Sequence, residues 1–352
     1  MTQRPYPIRY WEAPQSDAVG DTTEQFLEQL EGPTWVYFPG ADHTRCRVIS
    51  TLLHGNEPSG LHALHRWILA NDTPATDLYC FLGSVEAAKR PPRFHYRMLP
   101  GRRDLNRCFR PPYNDEEGLV AADLLHRITS VKPEAVIDIH NTSGAGPSFA
   151  IGTTLRSEHV RIAALFTERL IITDLKMGAL MDYEQAGCPI TTIECGGAHD
   201  PQAHALAYEG FKRFALKPNL FDTGEPLAEL DLYKHPIRVE LIKGSEISYA
   251  DEPVTGTDLT LHHDVERHNF GLVSKGTRLG WLGPKGLDVL VARDAQGHDH
   301  VEHYFELGGN CLTTRQELKL FMITTNASIA LSDCLFYLVP INEPDHFIRA
   351  GV

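Results

Sequence analysis

The sequence lacks the features that are typical of membrane, secreted and nucleic-acid-binding proteins. It has no apolar run near the roughly 18 residues that a membrane-spanning helix needs. The N-terminal stretch MTQRPYPIRYWEAPQSD has no apolar core of the kind found in signal peptides. The net charge of −13 is opposite to the basic surface that phosphate binding requires. We therefore expect neither a nucleic-acid partner nor binding to an anionic membrane.

The cysteines also argue against a disulfide-bonded fold. There are seven of them, and no two form a CxxC pair: Cys46, Cys80, Cys108, Cys188, Cys195, Cys311 and Cys334. An odd number without paired spacing is typical of reduced thiols. We therefore expect a cytoplasmic protein.

What is present is an ordinary globular composition, with 42% apolar and 22% charged residues in a chain of 352. Up to about residue 220, apolar β-branched stretches alternate with amphipathic helical ones. We predict strands at 45–53, 78–85, 134–140 and 188–197, and helices at 59–70, 116–128, 157–170 and 201–216. This alternation predicts an α/β fold with a mostly parallel sheet that helices flank on both faces.

The sequence after about residue 225 has a different pattern. Short apolar stretches are separated by Gly, Pro, Asp and Asn, which is typical of strands and turns. Helical periodicity is weak there apart from residues 313–326. We therefore predict two domains, residues 1–225 and a smaller β-rich domain over residues 226–352, with the boundary near residues 224–231.

Three of the predicted strands end in or near residues that bind metals or move protons. His54 and Glu57 follow the first strand as H-x-x-E, His140 ends the third, and Glu194 lies near the end of the fourth. Ligands of parallel sheets bind beyond the carboxyl ends of the strands. Two imidazoles and a carboxylate are a normal zinc set that leaves one position open, which marks a catalytic site. We predict zinc at His54, Glu57 and His140.

Two neighbouring features complete the predicted site. Glu194 is the candidate base for a water molecule, and Asp138 is a candidate partner for a ligand imidazole, with a sheet-edge carboxylate as its alternative. The loop GRRDLNRCF carries Asn106 and Arg107, which together could bind a carboxylate.

Other histidine clusters have less support, because no apolar strand directs them toward a cleft. These are His62 with His65, the segment LHHDVERH at 261–268, and the segment GHDHVEH at 297–303. Our interpretation favours solvated or structural roles for all of them. A second metal within residues 298–303 stays open. Cys195 has no histidine partner at a suitable position and is interpreted as a packing residue.

Four motifs, in this order, resemble those of the succinylglutamate desuccinylase/aspartoacylase family, a branch of the zinc carboxypeptidase-like superfamily. They are HGNEPSG, DLNRCF, DIHNTSG and TIECGG. The resemblance covers most of the first 220 residues and, more loosely, the β-rich part. It implies a carboxypeptidase-like α/β domain with one zinc ion per chain, and a smaller β-rich domain that caps the site. It also implies hydrolysis of a small N-acyl amino acid.

The resemblance further implies residue roles. Glu194 would activate water, and Asn106 with Arg107 would bind the substrate α-carboxylate. A family arginine just before DLNR polarises the scissile carbonyl, and Arg97, Arg102 and Arg103 compete for this role. We assign Arg103 as the catalytic candidate and Arg97 as a substrate-binding candidate.

Two departures from the family pattern concern specificity. Asp182 and Glu184 stand where relatives carry an arginine for an acidic substrate, and His346 stands near a family tyrosine. We expect Glu184 and His346 to contact a neutral or basic substrate. A carboxypeptidase for short peptides and a non-catalytic ligand-binding relative are the alternatives. A homo-oligomeric assembly stays open.

Overall fold

The structure is a computed structural model that describes residues 8–142, 144, 146–184, 188–343 and 345–349. The remaining residues, which include residue 143 of DIHNTSG and residues 185–187 after Glu184, lie outside the described part. The chain divides into two compact units. The first comprises Met1–Asn141, Ser148–Glu168 and Lys176–Ala228, and the second comprises Thr142–Pro147, Arg169–Leu175 and Glu229–Val352.

The strands and the α-helices are numbered separately, each in chain order. The strands are β1 (Arg9–Glu12), β2 (Thr34–Phe38), β3 (Asp42–Thr51), β4 (Thr76–Leu82), β5 (Val136–Thr142), β6 (Phe149–Gly152), β7 (Arg169–Ile172), β8 (Ile190–Gly197), β9 (Asp231–Lys234), β10 (Ile237–Leu241), β11 (Ile247–Ala250), β12 (Leu259–His262), β13 (Leu272–Val273), β14 (Arg278–Leu282), β15 (Leu290–Arg293), β16 (Phe305–Gly308), β17 (Cys311–Thr314), β18 (Leu318–Phe321), β19 (Phe336–Pro340) and β20 (Phe347–Ile348). The α-helices are α1 (Ser16–Val19), α2 (Thr23–Gln29), α3 (Ser59–Ala70), α4 (Val85–Lys89), α5 (Glu116–Val131), α6 (Ser157–Ala163), α7 (Pro201–Leu216), α8 (Val301–Tyr304) and α9 (Ala327–Ser332).

The sheet of the first unit confirms the predicted α/β class. Its strand order is β1-β2-β4-β3-β5-β8-β6. Strand β3 pairs in parallel with both β4 and β5, whereas β2–β4 and β6–β8 are antiparallel. The sheet is therefore mixed, with β3, β5 and β8 as successive neighbours at its centre.

Helices cover both faces of this sheet, as the alternating pattern predicts. Helix α5 packs its buried Leu124 and Ile128 in one cluster with Val48 of β3 and Val136 of β5. Helix α3 lies on the opposite face, because a Cβ on its Gly60 would meet Thr51, three residues along β3 from Val48. The α3 helix also packs against α7.

The second unit contains two five-stranded sheets, β13-β18-β19-β10-β15 and β11-β12-β14-β17-β16. Strand β9 pairs in parallel with β7 and antiparallel with β20. The β-rich character predicted for the later part of the chain is confirmed. Among the described residues, no helix is both long and apolar enough to cross a bilayer.

One predicted helix is wrong in part, and one segment with helical periodicity is not a helix. The predicted helix 157–170 ends at Ala163, and Arg169–Ile172 forms β7, because the β-branched Ile171 and Ile172 pair with β9. Residues 313–326 have helical periodicity but form no helix. Leu318 and Leu320 are fully buried in β18, paired with β19. Sheet pairing therefore overrides the local pattern.

Candidate functional site

The segment after β3 turns sharply, and tight packing around its glycines sets this turn. Leu52 has a positive φ of 55°, which redirects the chain just after the strand. A Cβ on Gly55 would lie 2.7 Å from the Cβ of Ala87 and 2.7 Å from the carbonyl oxygen of Tyr96. A Cβ on Gly60 would lie 1.8 Å from Oγ1 of Thr51, so the start of α3 lies directly on β3. These glycines let the H-x-x-E turn lie close against the sheet.

The structure brings His54, Glu57 and His140 together. All three side chains are buried, and their candidate ligand atoms lie within 4.8 Å of one another. Nδ1 of His54 is 2.8 Å from Oε1 of Glu57, and Nδ1 of His140 is 2.6 Å from Oε2. A tetrahedral ion with bonds of about 2.0 Å needs ligand atoms roughly 3.3 Å apart. The residues therefore fit a small divalent cation, with the Nδ1 atoms of both imidazoles facing it.

Each candidate ligand imidazole has a carboxylate on its other nitrogen. Nε2 of His140 lies 2.7 Å from Oδ2 of Asp138, and Nε2 of His54 lies 3.1 Å from Oδ1 of Asp104. Such carboxylates keep the outer nitrogen protonated and free the inner one for a metal. The structure thus places Asp138 where the sequence suggested it. Sequence reasoning missed this role of Asp104, although the residue lies in the DLNR motif.

The carboxylates of the cluster are held in the ionised form. Burial raises the pKa of Glu57, but His54 and His140 outweigh it and hold that pKa well below its ordinary value. The same balance holds for the pKa of Asp104, where burial is outweighed by His54 and Arg97. Burial lowers the pKa of His140, but Asp138 and Glu57 raise it well above the usual range. The site therefore concentrates negative charge around two imidazoles, which favours a bound cation.

Glu194 has the properties of a general base in this environment. It lies in β8, next to β5 in the sheet, and its side chain is buried. Its Oε2 has no hydrogen-bond partner among the described residues. Burial, reinforced by the charge of Glu57, raises the pKa of Glu194 to about 7. A carboxylate that is equally ready to accept and release a proton near neutral pH suits proton transfer.

The arginines of the loop separate into two groups. Arg97 lies beside the cluster, with Nη2 2.9 Å from Oδ2 of Asp104 and Nη1 3.7 Å from Oε1 of Glu57. Its carbonyl oxygen accepts a hydrogen bond from the backbone N–H of Gly55 at 2.9 Å. Arg103, the sequence-based candidate, instead forms an ion pair with Asp115 and donates to the carbonyl of Pro112.

The Asn106–Arg107 pair is positioned by the backbone around it. The N–H of Asn106 donates to Oδ1 of Asp104 at 2.8 Å, and its Oδ1 accepts from the N–H of Leu180 at 3.0 Å. Its Nδ2 is 3.4 Å from Nε2 of His140. Asn106 is therefore buried against the candidate ligand His140. Arg107 follows it directly in the same turn.

Asn141, which sequence reasoning also missed, connects three segments of the site. Its backbone N–H donates to Oε2 of Glu57 at 3.2 Å. Its side-chain amide donates to Oγ of Ser59 at 2.7 Å and to the carbonyl of Gly196 at 2.9 Å. Its Oδ1 accepts from the N–H of Ser59 at 3.0 Å. The residue after the candidate ligand His140 thus fixes the start of α3 and the end of β8.

Glu184, which the sequence suggests for contact with a neutral or basic substrate, is engaged by other side chains of the protein. It forms an ion pair with Arg156, lies 3.0 Å from Nε2 of His159, and accepts from Oγ1 of Thr153 at 2.8 Å. Asp182 accepts from three successive backbone N–H groups, 177–179. Both carboxylates are therefore used within the protein.

Three other sequence-based interpretations concern residues outside the cluster. His346 belongs to the second unit, where its Nε2 lies 3.6 Å from Oε2 of Glu343. His65 is within 2.9 Å of the carbonyl of Gly20, which supports a structural role. Burial raises the pKa of the Cys195 thiol, which fits a packing residue and not a nucleophile.

Taken together, the fold and the site define a class of protein. It is an α/β protein with a buried His-Glu-His cation site and an unpaired carboxylate on an adjacent strand, as in metal-dependent hydrolases. Residues 45–213 match the family model described as the succinylglutamate desuccinylase/aspartoacylase catalytic domain, the family that the four sequence motifs resemble. The matched segment contains His54, Glu57, His140 and Glu194. No curated protein matches the chain in a sequence comparison.

Solved structures share the fold at low sequence identity. The succinylglutamate desuccinylase of Vibrio cholerae has a TM-score of 0.53 and 16% identity, over 88% of this chain and 86% of that chain. Murine aminoacylase 3 has a TM-score of 0.54 and 15% identity, over 88% and 98%. The Vibrio parahaemolyticus succinylglutamate desuccinylase has a TM-score of 0.56 and 13% identity, over 94% and 99%. At such identities the likeness shows a common fold.

Proposed function

We propose that this protein is a zinc-dependent amidohydrolase that cleaves the linear amide bond of small N-acyl amino acids. The observation that carries this proposal is the buried cluster of His54, Glu57 and His140 in the same unit as the unpaired Glu194. The match of residues 45–213 to the succinylglutamate desuccinylase/aspartoacylase model supports the reaction class.

The donor set supports zinc as the resident ion. Two imidazole nitrogens and one carboxylate, each imidazole backed by a further carboxylate, are characteristic of catalytic zinc sites. Bound zinc supplies Lewis-acid catalysis, which makes water more acidic and a carbonyl more electrophilic. His54, Glu57 and His140 would hold the ion.

Glu194 provides the proton transfer in this proposal. As the attacking water adds to the acyl carbon, Glu194 accepts its proton. It then delivers that proton to the amide nitrogen, which leaves as a free amine. The pKa of about 7 is suited to both steps, because neither protonation state is strongly favoured. The burial of this carboxylate also protects it from bulk water.

Arg97, and not Arg103, is proposed to act on the scissile carbonyl. Its guanidinium group lies beside Asp104 and Glu57, whereas Arg103 is engaged by Asp115. A fixed cation near the reacting carbon stabilises the negative charge that develops on the oxygen. Asn106 and Arg107, which lie in the same loop, are proposed to bind the substrate carboxylate.

The charge around Glu184 favours a substrate with a neutral side chain. The resemblance places Glu184 where relatives hold the second carboxylate of an acidic substrate. Here the guanidinium group of Arg156 compensates its charge. A compensated pair offers no net charge to an acidic or a basic side chain, so we propose a neutral N-acyl amino acid in preference to both.

The test is a hydrolysis screen of N-acetyl, N-succinyl and N-carbamoyl amino acids with acidic, neutral and basic side chains, together with short peptides. Each assay is run as purified, after chelation, and after chelation with zinc restored. We expect activity on N-acyl amino acids that chelation removes and zinc restores. Cleavage only of peptides would favour the carboxypeptidase alternative, and activity that resists complete zinc removal would exclude the proposed mechanism.

A further inference from the structure

A second cluster of metal-binding side chains lies in the second unit, in the loop between β15 and α8. This loop contains the first four residues of the sequence GHDHVEH at 297–303, whose pattern alone favours a solvated segment. The structure adds Asp294, which lies just before this segment. Asp294 and His300 also line a cleft of about 1220 Å³ whose lining residues all belong to this unit.

The backbone fixes this loop before any ion could bind. Asp299 accepts from the N–H of Ala292 at 3.0 Å and the N–H of Val301 at 3.1 Å, so its carboxylate closes the loop. Gly297 has a φ of 85°, which allows the turn between Asp294 and His298. Asp294 Oδ1 accepts from the N–H of His298 at 2.9 Å.

One oxygen of Asp294 is therefore tied to the backbone, and the other faces two imidazoles. Oδ2 lies 3.2 Å from Nδ1 of His298 and 2.9 Å from Nε2 of His300. These separations are close to the roughly 3.3 Å edge of a tetrahedral site with zinc–ligand bonds of about 2.0 Å. All three ligand atoms lie within 4.8 Å of one another. The spacing D-x-x-x-H-x-H thus presents a His-His-Asp set.

A third His-Asp cluster provides an internal comparison. It consists of Asp251, His262 and His263, and both Asp251 and His263 are largely exposed. Nδ1 of His262 is engaged by Asp264. In the loop after β15 one imidazole is also exposed, with His298 at 74% and His300 at 34%, but the Asp294 side chain is only 19% exposed and has backbone donors that orient it. The carboxylate of the loop after β15 is therefore better oriented for binding a cation than the carboxylate of the third cluster.

We propose that Asp294, His298 and His300 form a second divalent transition-metal site, with zinc as the best-fitting ion. Two imidazole nitrogens and one carboxylate oxygen coordinate the ion, and water completes its coordination. The site is independent of the zinc-dependent hydrolysis proposed for the first unit, because no residue is shared between the two clusters.

The experiment is a zinc titration of the chelator-stripped full-length chain by calorimetry, with bound metal counted by mass spectrometry after dialysis. Four variants are compared with the wild type: His298→Ala/His300→Ala, His54→Ala/His140→Ala, His262→Ala/His263→Ala, and His303→Ala as the matched control. Asp294→Asn tests the carboxylate, and thermal unfolding verifies that each variant folds.

We expect two zinc equivalents for the wild type and one for His298→Ala/His300→Ala. His54→Ala/His140→Ala should also retain one equivalent. This equivalent must be the more weakly bound of the two. Asp294→Asn should weaken the affinity for this more weakly bound zinc at least about 10-fold, and His303→Ala should leave that affinity unchanged. The proposal is overturned if the wild type binds a single equivalent. It is equally overturned if the second equivalent survives in His298→Ala/His300→Ala or disappears in His262→Ala/His263→Ala.

Discussion

Nε of Arg97 donates a hydrogen bond to Oδ2 of Asp104 across 3.0 Å. The other oxygen of Asp104 lies 3.1 Å from Nε2 of His54. One carboxylate therefore orients both a candidate metal ligand and the arginine nearest to the cluster. Arg103, only six residues further along, is directed to Asp115 instead.

This arrangement predicts unequal effects of the two arginines. Arg97→Ala should lower kcat/KM by about 100-fold or more, because it removes a cation that stabilises the developing oxyanion. Arg103→Ala should change kcat/KM only a few-fold, since its ion pair with Asp115 is partly exposed. Steady-state kinetics of both variants provide the measurement. A larger loss in Arg103→Ala would reverse the assignment.

Glu194→Gln should separate metal binding from turnover. The amide keeps the shape of the side chain but cannot accept the proton of the attacking water, so kcat should fall by about 1000-fold or more. Zinc content, measured by mass spectrometry, should remain that of the wild type. The exposed Glu168→Gln is the matched control. If Glu194→Gln keeps full activity, Glu194 is not the base.

Replacing the ligands should abolish the catalytic ion, and replacing the carboxylate behind His140 should weaken it. In the His298→Ala/His300→Ala background, His54→Ala and His140→Ala should each bind no zinc at micromolar concentration. Asp138→Asn should reduce affinity by about 10- to 100-fold, because the partner of a ligand imidazole tunes its basicity. Competition with a chromogenic chelator measures these affinities, with the exposed Asp72→Asn as control.

Asn141→Ala should destabilise the protein and impair catalysis without removing a metal ligand. The change removes the acceptor of the buried Ser59 N–H and the amide donor to Ser59 Oγ and the Gly196 carbonyl, which costs on the order of 2–4 kcal/mol of unfolding free energy. Denaturant unfolding gives the stability. We also expect kcat to fall more than KM rises, since the residue positions Glu57 and the end of β8. A stability loss below about 0.5 kcal/mol would contradict this network.

His62 should make the protein less stable in mild acid. Burial, followed by the charges of His204 and His65 and opposed by Glu24, lowers the pKa of His62 to about 4. The unfolded chain therefore takes up this proton first, and stability is lost as pH falls from about 6.5 to about 4.

The corresponding variant measures this effect. In His62→Gln the loss of unfolding free energy between pH 6.5 and pH 4 should be smaller by on the order of 1 kcal/mol. This value is below that of the full pKa shift because the side chain is only partly buried. Urea unfolding across this pH range is the measurement, with the exposed His95→Gln as control. Identical pH profiles for wild type and His62→Gln would rule out this linkage.

The His-Glu-His cluster could be predicted from sequence because strand ends and turn spacing determine where such side chains lie. His54, Glu57 and His140 come from adjacent parallel strands, whose carboxyl ends meet at one edge of a sheet. Helices α3 and α7 match the predicted ranges because their amphipathic faces are regular.

The features that the sequence could not show depend on contacts between distant residues. No local pattern shows that Arg103 pairs with Asp115 while Arg97 lies beside Asp104, or that Arg156 compensates Glu184. Strand β18 has a helical periodicity of its own, and only its pairing with β19, further along the chain, makes it a strand. Asn141 and Asp104 were missed for the same reason, since their roles depend on hydrogen bonds to other elements.

The backbone bond between Gly55 and Arg97 has a consequence for altering this protein. The N–H of Gly55 donates to the carbonyl of Arg97, so the two segments are joined by a bond between backbone groups. Every residue has these groups, except that proline lacks the donor. Position 97 can therefore accept other side chains while the neighbouring turn keeps its place. A library at this single codon should yield proteins that keep their fold and still load their ion, although most of them lose turnover with the guanidinium group.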